Sequence, residues 1–226
     1  MARLDGEYDL NFLAQGDDGQ GYILKAMRPG CETWLVDMQI KALDHLAAHA
    51  PGLPCPRVIH ALDGSTMQEL ADDNGNLRLV WLQNRLPGQC YAKVMPKPQD
   101  LIRHLGHVLG GTDRALQDFQ HKGLARDFKW DLVRASWIAP ELECITDSAR
   151  RTLLAKIAQD FAKIEPVLAD LPKQAIHNDA NDYNILVSGT LSEPRRVSGL
   201  IDLGDMCSAP RICDLAIAAA YVVLDH

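Results

Sequence analysis

The chain has 226 residues, 47% hydrophobic and 23% charged, enough to bury a sizeable core, so disorder is not its default state. A formal net charge of −7 argues against a nucleic-acid partner, which would need a basic face, and suits a cationic small-molecule substrate. The six cysteines form no C-x-x-C pair and suggest neither a zinc site nor a disulfide framework. No apolar run is long enough to span a bilayer, so the expectations are a cytoplasmic location and no membrane partner.

Along the chain, Asn11 to Gln15 and Gly21 to Met27 hold β-favouring residues about the turn Gly16-Asp17-Asp18-Gly19, which predicts a hairpin. The turn lacks the G-K-[ST] of a P-loop and opens no helix, so it is not read as a phosphate site. From Glu32 to Ala50, Leu35, Met38, Ala42, Leu43, Leu46 and Ala47 recur at helical spacing until Pro51-Gly52 ends the run. Arg57 to Leu62, Thr66 to Leu70 and Leu77 to Arg85 read as further strands. Beyond Leu86-Pro87-Gly88 the pattern turns helical, over Pro98 to Phe119, Lys129 to Ile138 and Asp147 to Leu171, with Pro166 as an expected kink. The run from Leu215 to Leu224 is apolar all round and predicts a buried core helix. The predicted class is α+β, with a strand-rich unit over 1–86 and a helix-rich unit over 87–226.

The strongest chemical signal is His177-Asn178-Asp179-Ala180-Asn181-Asp182-Tyr183-Asn184, an H-x-D-x-x-x-x-N pattern running into an apolar strand. That spacing lets Asp179 meet a substrate hydroxyl while Asn184 reaches a metal on the phosphates. Gly199-Leu200-Ile201-Asp202-Leu203-Gly204-Asp205 follows, with an Asp at a strand end and a Gly that permits a turn. Lys25 lies in an otherwise apolar strand, where a cation needs an anionic partner. A nucleotide phosphate would supply one, and Asp37 or Glu32 on the following helix would orient the lysine. Trp130 and Asp131 offer an aromatic face and a carboxylate suited to an ammonium group, although helix packing and a cap account for them equally.

The order Lys25, acidic helix, His177-x-Asp179-x-x-x-x-Asn184, Asp202-Leu203-Gly204 resembles the protein kinase-like two-lobed fold of the aminoglycoside phosphotransferases. Cys213-Asp214-Leu215-Ala216, Leu4-Asp5-Gly6-Glu7-Tyr8-Asp9-Leu10-Asn11-Phe12 and Trp130-Asp131-Leu132 narrow the resemblance to the hydroxylysine kinase branch. That branch includes phosphotransferase domains fused to class III aminotransferases. The resemblance implies an antiparallel-sheet N-lobe that binds nucleotide and a mostly helical C-lobe with the catalytic loop and metal site. It implies Asp179 as catalytic base, Asn184 and Asp202 as Mg²⁺ ligands, Lys25 on the α/β-phosphates of ATP or GTP, and Asp37 as the partner of Lys25. The segment Gly6 to Asn11 would cover the phosphates, and Leu82 to Gly88, Leu86 included, would line the purine pocket. His177 and Asp214 would hold the loop, and Asp127, Trp130, Asp131 and Asp205 are candidates for contact with an amine-bearing acceptor. That acceptor is 5-hydroxylysine by family, with aminoglycoside, choline, ethanolamine or homoserine as rivals.

The sequence departs from the pattern in four places. Leu203 replaces the usual aromatic, Tyr183 stands where the branch often has His, and the chain is short of the family pattern at both ends. A truncated, inactive nucleotide-binding module is therefore the alternative expectation.

Overall fold

The computed structural model describes residues 1–4, 6, 8–17, 19–190 and 192–224. The first part of the chain forms a six-stranded antiparallel sheet. Its strands are β1 (Ala2–Leu4), β2 (Leu10–Gln15), β3 (Gly21–Ala26), β4 (Val58–Ile59), β5 (Gln68–Ala71) and β6 (Leu77–Asn84). They run in the order β1-β2-β3-β6-β4, with β5 also paired to β6. The β2–β3 hairpin forms as expected, closed by Gly16 N–H donating to Gln20 O at 2.9 Å, while Asp18 lies outside the described residues. Its register sets Asn11 opposite Lys25, and Lys25 opposite Trp81 on β6. Directly paired residues point to one face, so this register presents Asn11 and Lys25 together.

Helix α1 (Thr33–His49) buries Leu35, Val36, Met38, Gln39, Ile40, Ala42, Leu43 and Leu46. The helix is where the periodicity placed it, and Gln39 is the polar residue its buried side carries. Strand β7 (Gln89–Cys90) leads into α2 (Gln99–Ala115), whose buried stripe is Leu101, Leu105, Val108, Leu109, Thr112 and Asp113. The i, i+4, i+7, i+8 spacing explains the first four; Thr112 and Asp113 extend the same face with polar atoms.

One sequence expectation gives way in the helical part. Lys129 to Ile138 is not one helix: Asp131 Oδ1 accepts the Val133 N–H at 3.1 Å and opens a 3₁₀ segment, Leu132–Trp137, before the short α3 (Ile138–Glu141). Capping by Asp131 starts a new element where the apolar spacing alone implied continuity. The helix expected over Asp147 to Leu171 forms as α4 (Ser148–Asp170), with Pro166 inside it.

The region around residues 177–184 is framed by short strands. Strands β8 (Lys173–Ile176) and β11 (Cys207–Pro210) pair, and β9 (Ile185–Ser188) lies between β7 and β10 (Arg196–Leu200). The chain reaches α5 (Arg211–Val223), which buries Cys213, Asp214 and Ala218 but exposes Ile212, Leu215 and Val223. The expectation of a helix buried all round is thereby corrected, because only one side of α5 packs on the β8–β11 layer and α2. Among the described residues no helix is long and apolar enough to cross a membrane.

Candidate active site

Residues 177–184 join β8 to β9 and are held by a dense set of local hydrogen bonds. Asp214 on α5 is fully buried, and its two carboxylate oxygens accept the N–H groups of His177 (2.9 Å) and Asn178 (2.6 Å). His177 Nδ1 accepts the Asp179 N–H at 3.2 Å, so its Nε2 carries the proton and donates to Ile201 O at 3.0 Å. Asn178 takes a left-handed backbone (φ 64°), an uncommon conformation that Asn tolerates, and its amide reaches Trp130 O at 3.2 Å. These contacts leave the Asp179 carboxylate facing the cleft. Asn181 Nδ2 donates to Asp179 Oδ1 at 2.8 Å, and Asn184 Nδ2 to Oδ2 at 2.7 Å.

Opposite stands Asp202, also left-handed (φ 65°), at the end of the run from β10. Its Oδ1 accepts from Lys25 Nζ at 3.1 Å and from the Gly204 N–H at 3.2 Å. A Cβ at position 204 would sit 3.1 Å from the same oxygen, which explains the glycine. The two carboxyls titrate apart. Burial, opposed by the Asn181 hydrogen bond, pushes Asp179 up to about 6, whereas the Lys25 charge holds Asp202 below the usual carboxylate range.

Two cavities meet at these groups. One, of about 810 Å³, is lined by Gly6, Asn11, Leu86 and Asn184 together with Lys25, Asp179 and Asp202. The other, of about 430 Å³, is lined by Arg28, Arg126, Lys129, Trp130 and Asp205 and by the same Lys25, Asp179 and Asp202. Asn11 Oδ1 is buried with no partner among the described residues, and a Cβ on Gly6 would lie 2.6 Å from Asp9 O and 2.8 Å from Asn11 Nδ2. The first cavity is therefore shaped by close backbone approach at Gly6. Asp5 and Glu7, beside it, lie outside the described residues.

The donor set suits a hard divalent cation shared with phosphate. Asn184 spends its Nδ2 on Asp179, leaving its carbonyl oxygen open, and Asp202 Oδ2 takes no donor among the described residues. Two protein oxygens with the remaining positions filled by phosphate and water are what Mg²⁺ uses; no cluster of three His, Cys, Asp or Glu suited to a metal occurs among the described residues.

The model of the phosphotransferase enzyme family, APH, matches residues 2–225. The chain belongs to this family. It is 26% identical over 238 residues to the hydroxylysine kinase of Mus musculus, covering 96% of this chain and 62% of the relative. Over 227 residues it is 26% identical to that of Danio rerio, with 96% and 63% covered. The chain thus spans less than two thirds of the length of these relatives. Among solved structures it superposes on an amicoumacin kinase in complex with AMP-PNP, Ca²⁺ and Ami, with TM-score 0.69 and 16% identity, over 99% of this chain and 64% of the other. A microcompartment-associated aminopropanol kinase gives TM-score 0.69 and 21% identity, over 96% and 67%. At such identities the likeness is one of fold, the protein kinase-like α+β architecture.

Within this family fold, the sequence-chosen residues separate into those at the cleft and those elsewhere. Asp37 is not the partner of Lys25: its Oδ2 receives Lys41 Nζ at 2.8 Å and His121 Nε2 at 3.1 Å. Glu32 instead meets the Trp34 indole N–H at the start of α1. Two residues beyond Asp37, on the opposite side of α1, Gln39 lines the second cavity. Asp127 is exposed and paired with Arg134, and Asp131 is buried, capping Val133 and pairing with Arg134, so neither lines the second cavity as Trp130 and Asp205 do.

Arg126 is the residue that sequence reasoning missed. It donates to Gly204 O at 2.7 Å, lies 3.7 Å from Asp205, stacks on Phe128, and keeps Nε buried without a partner among the described residues. Its irregular segment carries no periodic signal that could have singled it out.

Proposed function

We propose that this chain carries the phosphoryl-transfer centre of a small-molecule kinase, which moves the γ-phosphoryl of ATP or GTP onto a hydroxyl of an amine-bearing metabolite such as 5-hydroxylysine. The observation that carries the reading is the meeting of two cavities at Lys25, Asp179 and Asp202, one chamber for each reactant with the transferring group between them.

Nucleotide enters the larger chamber, with its base near Leu86 and its phosphates between Gly6, Asn11 and Lys25. Asn184 and Asp202 would hold Mg²⁺, which when bound neutralises charge on the phosphate oxygens. The acceptor lies in the smaller chamber, where its ammonium group would take the place of Lys129 over the Trp130 ring and of Arg126 beside Asp205. Its hydroxyl oxygen bonds to the γ-phosphorus as the bond from that phosphorus to the β-bridging oxygen breaks. Asp179 orients the hydroxyl and takes its proton, and nucleoside diphosphate leaves. Lys25 spreads its positive charge over the phosphates in both ground and transition states.

The relatives named hydroxylysine kinase support an amino-alcohol acceptor, and AMP-PNP in the amicoumacin kinase supports a nucleotide donor. The second reading is a nucleotide-binding module without turnover. The test is transfer of label from γ-³²P-ATP or γ-³²P-GTP, with and without Mg²⁺, to a panel of amine-bearing alcohols. Mg²⁺-dependent labelling of one acceptor class supports the kinase. Saturable nucleotide binding with no labelled product leaves the module.

A further inference from the structure

Asp113 breaks the pattern of α2. The stripe Leu101, Leu105, Val108, Leu109 calls for an apolar residue at this point, yet a carboxyl group stands there, 7% exposed. Burying an unpaired carboxylate is costly, so the group must be neutralised or bonded. α2 packs against α5, and the neighbour whose charge and hydrogen bonding bear on Asp113 is Asp214, the residue that grips the backbone of 177–184.

Both oxygens of Asp214 already accept backbone N–H groups. Asp113 Oδ1 is buried with no donor to satisfy it among the described residues. A single proton resolves both facts: on Asp113 it turns an orphaned acceptor into a donor toward Asp214 and removes the repulsion of two adjoining carboxylates. We propose that Asp113 is a positioning residue, a protonated carboxyl that holds Asp214, and through it the loop bearing Asp179, in its working geometry. The assignment of a catalytic role to that loop rests on the kinase reading given above.

The electrostatics agree. Burial first, then the Asp214 charge, push Asp113 up to about 8, with Arg211 opposing. The charged groups facing Asp113 are Asp214 and Arg211, both on α5. Strand β8 contributes uncharged Gln174, whose Nε2 donates to Asp113 O at 2.6 Å. The Cys207 and Cys213 thiols also feel Asp214, but burial lifts them to about 12 and 11, outside this window. His177 meets Asp214 through its backbone N–H, its ring being engaged with Ile201 O and the Asp179 N–H. Since the folded-state value of Asp113 lies above the ordinary ~3.9, its contribution to stability is full below that value. The contribution declines as pH rises and is gone above about 8.

The experiment compares wild type with Asp113→Asn, which keeps the shape and an N–H donor but cannot titrate. Between pH 5 and 7.5 the wild-type unfolding constant should rise more steeply than the variant's, by up to about tenfold per pH unit, the slope of one proton. The ¹⁵N–¹H resonances of His177 and Asn178 should shift with a midpoint near pH 8 in wild type and stay flat in Asp113→Asn. With an acceptor in hand, kcat should fall through the same alkaline midpoint in wild type alone, with the nucleotide KM unchanged. Equal unfolding slopes would overturn the proposal. So would loop amides that titrate near pH 8 in both proteins, or in neither, because Asp113 would then not be acting on the loop. If Asp113→Asn fails to fold, carboxyl-carbon NMR of wild type decides: a side chain titrating near 8 supports the proposal, and all carboxyls ionised by pH 7 refutes it. None of the unfolding and NMR readouts needs an acceptor, so they can succeed where the kinase reading fails.

Discussion

The two chambers that meet at Asp179 are built differently. The larger takes its walls from paired strands and the tightly bonded loop: Asn11 and Lys25 face each other across β2 and β3, and Asn184 and Asp202 flank β9 and β10. The smaller takes Arg126, Lys129 and Trp130 from a stretch without regular hydrogen bonding, closed by Asp205 in a 3₁₀ turn. Strand register fixes Asn11 and Lys25 in the first, whereas Arg126, Lys129 and Trp130 in the second have no strand or helix to set their direction. On the proposed reading, nucleotide chemistry would rest on the regular framework and acceptor choice on the irregular one.

The largest expected effect lies on the regular side. A nucleotide present at 100 times its Kd stabilises by ~2.7 kcal/mol, which for a chain of this size is roughly 5–11 °C in Tm. Asp202→Ala should remove the Mg²⁺-dependent part of that shift in a thermal melt, and an undiminished shift would break the assignment of Asp202 to the metal.

Next comes pH. Asp179 accepts a proton only when ionised, and burial raises it to about 6, so kcat/KM should fall tenfold per unit as pH drops below about 6. A profile flat to pH 4.5 would remove Asp179 as base.

The smallest effect concerns Asp37. Its bond to Lys41 is exposed and its bond to His121 part-buried, so Asp37→Asn should cost about 1–2 kcal/mol in denaturant unfolding and leave nucleotide affinity unchanged. A large loss of nucleotide affinity would restore Asp37 to the lysine.

The same division explains what the sequence discloses. The hairpin, α1, α2 and the pattern from His177 to Asn184 were legible because register, helical period and fixed loop spacing are local properties. Lys25 was legible as a cation in an apolar strand. Its acidic neighbour was misjudged because composition favoured Asp37, whereas the direction each side chain takes on α1 turns Gln39 inward. Arg126 was invisible because what defines it, stacking on Phe128 and bonding to Gly204 O, joins segments distant in sequence. Asp113 carried a signal, a carboxylate on an apolar stripe, but its meaning needed α5 beside it.

The central claim, that one phosphoryl group passes between the two chambers at Asp179, is tested most directly by Asp179→Asn, with nucleotide Kd and kcat measured on the same preparation. The account predicts Mg²⁺-nucleotide affinity within about twofold of wild type and a kcat lower by about 10²–10⁴, the range of general-base contributions. Turnover near wild type would contradict it, as would affinity and turnover lost in parallel.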